Sequence, residues 1–180
     1  MAVFLLCKKK NRRINQMAIK YKIDQHHVCF PTKVLSDKVG RVLNMVIKED
    51  TDNGTVCGKG KYVSFDQYEV ADAPAGFEGE ILEQAADGNW YVEVKKVDSN
   101  APAILIYEVP EIPETYNSEF TKTSNFFNAA TVERTKTVRG LVLTVTDVYE
   151  LSEDAFDGTP VAGKKVTVEA GSQKHKVSEL

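Results

Sequence analysis

Short runs of β-branched and apolar residues, each cut off by a turn signal after roughly ten residues, recur along most of this chain, and that rhythm favours a barrel or sandwich built from hairpins. Residues 39–47 form the first strong run. Asp50-Thr51-Asp52-Asn53-Gly54 follows it and ends in Asn-Gly, a pair in which both residues tolerate positive φ, so a hairpin is expected there with 55–57 and 61–65 as returning strands. A second hairpin is expected around Asp87-Gly88-Asn89, between 81–83 and 90–97. Within it Tyr91-Val92-Glu93-Val94-Lys95 alternates with the period of a half-buried strand. Ala103-Ile104-Leu105-Ile106-Tyr107 is continuously apolar, the pattern of a strand covered on both faces.

Pro110 and Pro113 interrupt the pattern, since neither can donate a ladder hydrogen bond. The stretch 114–130 is the least strand-like and reads as an extended crossing segment carrying Phe120, Phe126 and Phe127, whose rings fill either their own core or a groove between subunits. Strands are expected again at 34–35, 132–138, 141–146, 148–151 and 164–169, with a turn at Gly140. Ser152 is placed as the N-cap of one helical turn over 153–156, ended by Asp157-Gly158. Asn53-Gly54-Thr55-Val56-Cys57-Gly58-Lys59 echoes Asp157-Gly158-Thr159-Pro160-Val161-Ala162-Gly163-Lys164, either a duplicated half-barrel or two uses of one turn recipe. The expected fold class is therefore mainly β, a small barrel or sandwich with one or two short helical turns. Residues 17–180 are expected to form a single β-rich domain with a possible break into lobes near 99–131.

Composition narrows the classes. The 180 residues are 42% hydrophobic and 27% charged, ordinary values for a globular chain with a sizeable core, and no apolar run approaches the roughly 20 residues of a membrane-spanning helix. Three widely spaced cysteines do not make a disulfide scaffold and point to a reducing compartment. The net charge of -3 averages two unlike pieces. Residues 1–16 hold five basic side chains and no acid, whereas from Met17 onward 18 basic residues face 26 acidic ones, a net of -8. The head reads as a basic arm for phosphates or as a mis-assigned start. In the second case Arg12-Arg13 is the translation of a ribosome-binding sequence and Met17 is the initiator.

Chemistry-bearing patterns are sparse. His26-His27-x-Cys29 is the one metal-like cluster, but a zinc site would need Cys57 and His175 from far along the chain, so no metal or other cofactor is expected. Gly58-Lys59-Gly60-Lys61 lacks the glycine spacing and the Ser/Thr of a phosphate loop. No nucleophile motif stands beside a base, and the acids cluster in turns without calcium-loop spacing. The acidic remainder argues against nucleic acid. The expectation is a protein that is not an enzyme and works through a surface.

Ser124-Asn125-Phe126-Phe127-Asn128, Thr146-Asp147-Val148-Tyr149, Ser152-Glu153-Asp154-Ala155-Phe156 and the run from Gly158 to Lys164 together resemble small structural proteins of tailed bacteriophages and prophages, the capsid decoration (head-stabilising, cement) proteins. Val39-Gly40-Arg41-Val42 leading to Asn53-Gly54-Thr55-Val56 is similar in style, so the resemblance spans most of 34–170 and leaves out 1–16. It implies a virion protein, assembled in the bacterial cytoplasm, that binds the major capsid protein on the outside of the shell. It also implies a homo-oligomer, a trimer by preference, with neither nucleic acid nor membrane as partner. Ile112, Phe120, Phe126 and Phe127 are the expected shell or subunit contacts. The competing expectation is a carbohydrate- or cell-surface-binding module with Trp90, Tyr91 and Tyr62 as a stacking platform.

Overall fold

In a computed structural model, which describes residues 27–108, 126–127 and 136–178, the strand-and-turn rhythm folds into a closed barrel, an open sheet and a small two-stranded ribbon. The elements are β1 (Cys29–Lys33), α1 (Leu35–Lys38), β2 (Val42–Ile47), β3 (Thr51–Asp52), β4 (Val56–Tyr62), β5 (Gln67–Ala71), β6 (Glu78–Gln84) and β7 (Trp90–Lys96). They continue with β8 (Ala103–Ile106), β9 (Phe126–Phe127), β10 (Lys136–Val142), β11 (Val148–Leu151), a 3-10 turn (Glu153–Ala155), β12 (Phe156–Asp157), β13 (Lys165–Val168) and β14 (His175–Val177). Strands β10-β2-β5-β4-β8 close into a barrel, and β1-β11-β7-β6-β13-β14-β12 form an open sheet. A two-stranded ribbon pairs β3 with β9. The chain is mainly β, as the turn rhythm predicts.

Burial explains the arrangement. Along β8, Ile104 and Ile106 join Met45, Ile47, Cys57 and Val138 in one apolar cluster of barrel residues. The alternate residues Ala103 and Leu105 join Val56 and Leu141 against Ile81, Val92, Val94, Tyr149 and Leu151 of the open sheet. The continuous apolar run of β8 is thus one side of the barrel core and one side of the layer between barrel and sheet. Each fully buried aliphatic side chain there contributes about 1.5–3 kcal/mol. The β6–β7 hairpin forms where expected, with Ile81 opposite Val92, Gly88 at φ +95 and the Asn89 N–H held by the Asp87 carboxylate at 3.1 Å. Val92 and Val94 point inward while their neighbours stay partly exposed.

Other local expectations give way to long-range packing. Asn53-Gly54 is not a hairpin: β2 pairs with β5 in parallel and with β10, while β4 pairs with β5 and β8. Gly54 has φ +86, and a Cβ there would lie 2.6 Å from Leu151 Cδ2, so the turn packs against the other sheet instead. Gly140 is not a turn but mid-strand in β10, where a Cβ would meet Met45 Cγ at 2.5 Å and Ile104 Cγ2 at 2.7 Å. Residues 34–35 are no strand; Val34 is buried and Leu35 opens α1. Ser152 precedes the 3-10 turn but does not cap it, because its Oγ accepts the Val28 N–H at 2.9 Å. The two echoing segments differ: 56–59 lie in β4 of the barrel, whereas 161–164 are a turn before β13 of the open sheet. Both sheets draw strands from either side of 99–131, so neither corresponds to a contiguous lobe.

Candidate functional site

Among the described residues the cysteines and histidines lie inside the protein. Burial, followed by the Glu150 carboxylate, pushes the Cys29 thiol far up, and burial pushes that of Cys57 up to about 12. Both are free thiols. His175 sits with no exposed surface among Tyr149, Phe77 and Phe156, its Nε2 2.8 Å from the Tyr149 hydroxyl. Burial, then the neighbouring His27, lowers its pKa to about 3, and the Ala155 backbone only partly opposes them. Burial also raises the Tyr149 hydroxyl well above its ordinary value, so the phenol is the donor and the ring stays neutral.

A polar knot ties the loop between β2 and β4 to both sheets. Gln173 Oε1 accepts the Asp52 N–H at 2.6 Å, and its Nε2 donates to the Asp50 carbonyl at 2.7 Å. Asn53, fully buried, donates to the Glu108 carbonyl at 3.0 Å and accepts the Glu108 N–H at 3.3 Å. His27 Nε2 lies 3.5 Å from Asp52 Oδ2. His27, Cys29, Cys57 and His175 therefore have packing and hydrogen-bonding roles, and no group of three or more metal-ligating side chains gathers among the described residues. Above the knot, at the barrel end where β2 and β5 finish, a groove of about 210 Å³ lies between Ile47, Val70, Cys57 and Gln173.

At the opposite end, where β2 and β5 begin, apolar side chains face outward. The β4–β5 hairpin turns through Ser64-Phe65-Asp66-Gln67, with the Gln67 N–H on the Ser64 carbonyl at 2.9 Å and the Val63 N–H on the Gln67 carbonyl at 2.8 Å. Phe65 and Asp66 have φ of 48° and 60°, the positive pair of the turn that best matches strand twist but that normally takes Asn-Gly. Phe65 is 90% exposed, and Tyr62 and Val63 beside it are exposed too. The sequence reading places 61–65 in a strand; Phe65 instead forms the tip, a feature missed because no glycine marks it. Asp66, a residue that tolerates left-handed backbone, is the one local signal.

A cleft of about 370 Å³ lies at the same end, lined by Lys33, Leu35, Lys38 and the turn 144–147. Asp147 builds it: its buried carboxylate accepts the Leu35 N–H at 3.0 Å and the Thr144 N–H at 2.8 Å, pinning α1 to the turn after β10. Thr146 in that turn has φ 79°, an outlier for a β-branched residue. Leu35 and Val145 are 54% and 49% exposed. Phe65, Asp66 and Thr146 are the non-glycine residues with positive φ among those described, and all three stand in the tip or the cleft.

Of the residues singled out in the sequence, Ile112 and Phe120 lie outside the described residues. The backbone of Phe126–Phe127 pairs as β9 with Thr51–Asp52, next to the Gln173 knot. Tyr62 belongs to the barrel and packs edge-on against Tyr68, whereas Trp90 and Tyr91 belong to the open sheet and, as strand neighbours, face opposite sides. The three do not form one stacking platform. Among the described residues no helix is long and apolar enough to cross a membrane. Comparison with family models, curated proteins and solved structures found no match to this chain.

Proposed function

We propose that this chain is a non-enzymatic structural protein of a tailed-phage virion that binds the outside of the capsid and stabilises it as a homo-oligomer. The observation that supports the reading most is the division of side chains. Among the described residues the thiols, the imidazoles and the Tyr149 phenol are withdrawn into the core, while large apolar side chains stand exposed at one end of a β framework. A protein so built acts by contact. The major capsid protein is the proposed partner, with neither nucleic acid nor membrane, and Ile112, Phe120, Phe126 and Phe127 are the proposed shell contacts. Pairing of β9 with β3 sets the backbone of Phe126 and Phe127 next to the Gln173–Asp52 knot, at the barrel end away from the exposed tip.

Co-sedimentation with shells assembled from the major capsid protein tests the reading. Saturable binding is expected, along with a raised temperature or lowered salt sensitivity of shell rupture. Phe126→Ala/Phe127→Ala should remove binding while the monomer stays folded. A wild-type protein that fails to sediment with shells overturns the function, and a double variant that decorates normally overturns the contact.

A further inference from the structure

The tip and the cleft complement one another, and the topology sets them at one level of the barrel. β2 and β5 run parallel with Asn44 opposite Gln67, so the β4–β5 tip lies where β2 starts. α1 leads directly into β2, and β10 ends beside the same start with Leu141 opposite Val42, which brings the 144–147 turn there as well. The tip offers an aromatic ring followed by an acid, Phe65-Asp66. The cleft offers apolar Leu35 and Val145 flanked by Lys33 and Lys38. Both lysines and Asp66 are exposed, and their charged groups make no ion pair among the described residues.

Strain points the same way. A hairpin tip that only had to turn would place asparagine and glycine at its two left-handed positions. This one keeps a phenylalanine there, almost entirely in water, and the cleft keeps a threonine in the left-handed region. Backbone held in such conformations gathers where a surface is used.

We infer that the Phe65-Asp66 tip of one copy seats in the Lys33/Leu35/Lys38/Val145 cleft of the next copy, the ring between Leu35 and Val145 and the carboxylate against the two lysines. The contact is head-to-tail, since knob and hole are different surfaces. Both sit at one level of the barrel, which lets successive copies stand side by side, and a head-to-tail contact whose rotation divides the circle closes into a ring. This assignment deepens the self-association part of the proposed function and does not depend on the capsid part.

Sedimentation velocity of the full chain over a concentration series tests it, with circular dichroism to confirm folding. Wild type should pass from monomer to one closed oligomer. Phe65→Ala should weaken association by at least roughly twentyfold, as loss of an aromatic anchor does. Asp66→Lys alone and Lys33→Glu/Lys38→Glu alone should each weaken it, and the triple charge-reversed chain should recover. Mixing Phe65→Ala with Lys33→Glu/Lys38→Glu leaves one intact knob and one intact hole, so it should give dimers and nothing larger.

Association unchanged in Phe65→Ala, or no recovery in the triple variant, overturns the contact. So does a wild type that stays monomeric. If that monomer nevertheless needs Phe65 to co-sediment with capsid shells, the tip belongs to the shell contact, and the self-contact alone is lost. If rings form and shells are not bound, the capsid reading fails and the self-contact stands.

Discussion

The Tyr149 hydroxyl donates to Nε2 of His175 across 2.8 Å, in a site where neither residue has exposed surface. The bond joins β11 to β14, which are separated in the open sheet by β7, β6 and β13, while burial and then His27 keep the imidazole neutral. Tyr149→Phe strands the ring nitrogen in an apolar site, and the expected cost is about 1–3 kcal/mol in urea denaturation.

The same ring makes stability depend on acid. Its folded pKa of about 3 lies below the ordinary 6.5, so the unfolded chain binds the extra proton between those values. Stability from this group is present above pH 6.5 and is lost as pH falls toward 3, at up to about 1.4 kcal/mol per pH unit. Denaturation midpoints at pH 7, 5 and 4 should fall in wild type and flatten in His175→Gln.

Gly140 has no room for a methyl group, with Met45 and Ile104 both inside 3 Å of where a Cβ would stand. Gly140→Ala should cost about 1–3 kcal/mol by overpacking the barrel. Adding Met45→Ala should cost less in that background than in wild type, and a double-mutant cycle measures the difference.

Asn53 replaces a backbone partner for Glu108 in both directions. Asn53→Ala leaves the partly buried N–H and carbonyl of Glu108 without that partner, with an expected loss of about 1–3 kcal/mol. Asn53→Asp keeps the acceptor and loses the donor, so at neutral pH it should recover little of that loss.

Phe65→Gly should act oppositely on stability and on contact. Glycine adopts φ near 48° without strain, so the melting temperature should rise or hold, by the equivalent of up to about 1 kcal/mol, while the exposed anchor is removed. Differential scanning calorimetry read beside the sedimentation series checks both.

Cys29 and Cys57 should stay unmodified by iodoacetamide at pH 8 in the native protein, because burial keeps both thiols protonated and covered. Peptide mass mapping before and after urea should find label on them only in the unfolded chain.

What the amino-acid order determined by itself is local. Alternation at Tyr91–Lys95, the Asp87-Gly88-Asn89 turn and the two-faced run of β8 each depend on neighbours a few residues away, and the mainly β class follows from their repetition. Tertiary structure decided what those pieces meet. Asn53-Gly54 carries a strong hairpin signal, yet its flanking strands find other partners because β2 completes a barrel with β5 and β10. Gly140 resembles a turn until Met45 and Ile104 arrive from distant strands to claim the space of its side chain. The tip and cleft were hidden for the same reason. Phe65 is one of several aromatic residues in the sequence, and only the closing of the β4–β5 hairpin, held by Ser64 and Gln67, puts it in water at the same end of the barrel as Lys33 and Lys38. Propensity acts over a few residues; barrel closure and the burial it allows act across the whole chain, and where the two conflict burial wins.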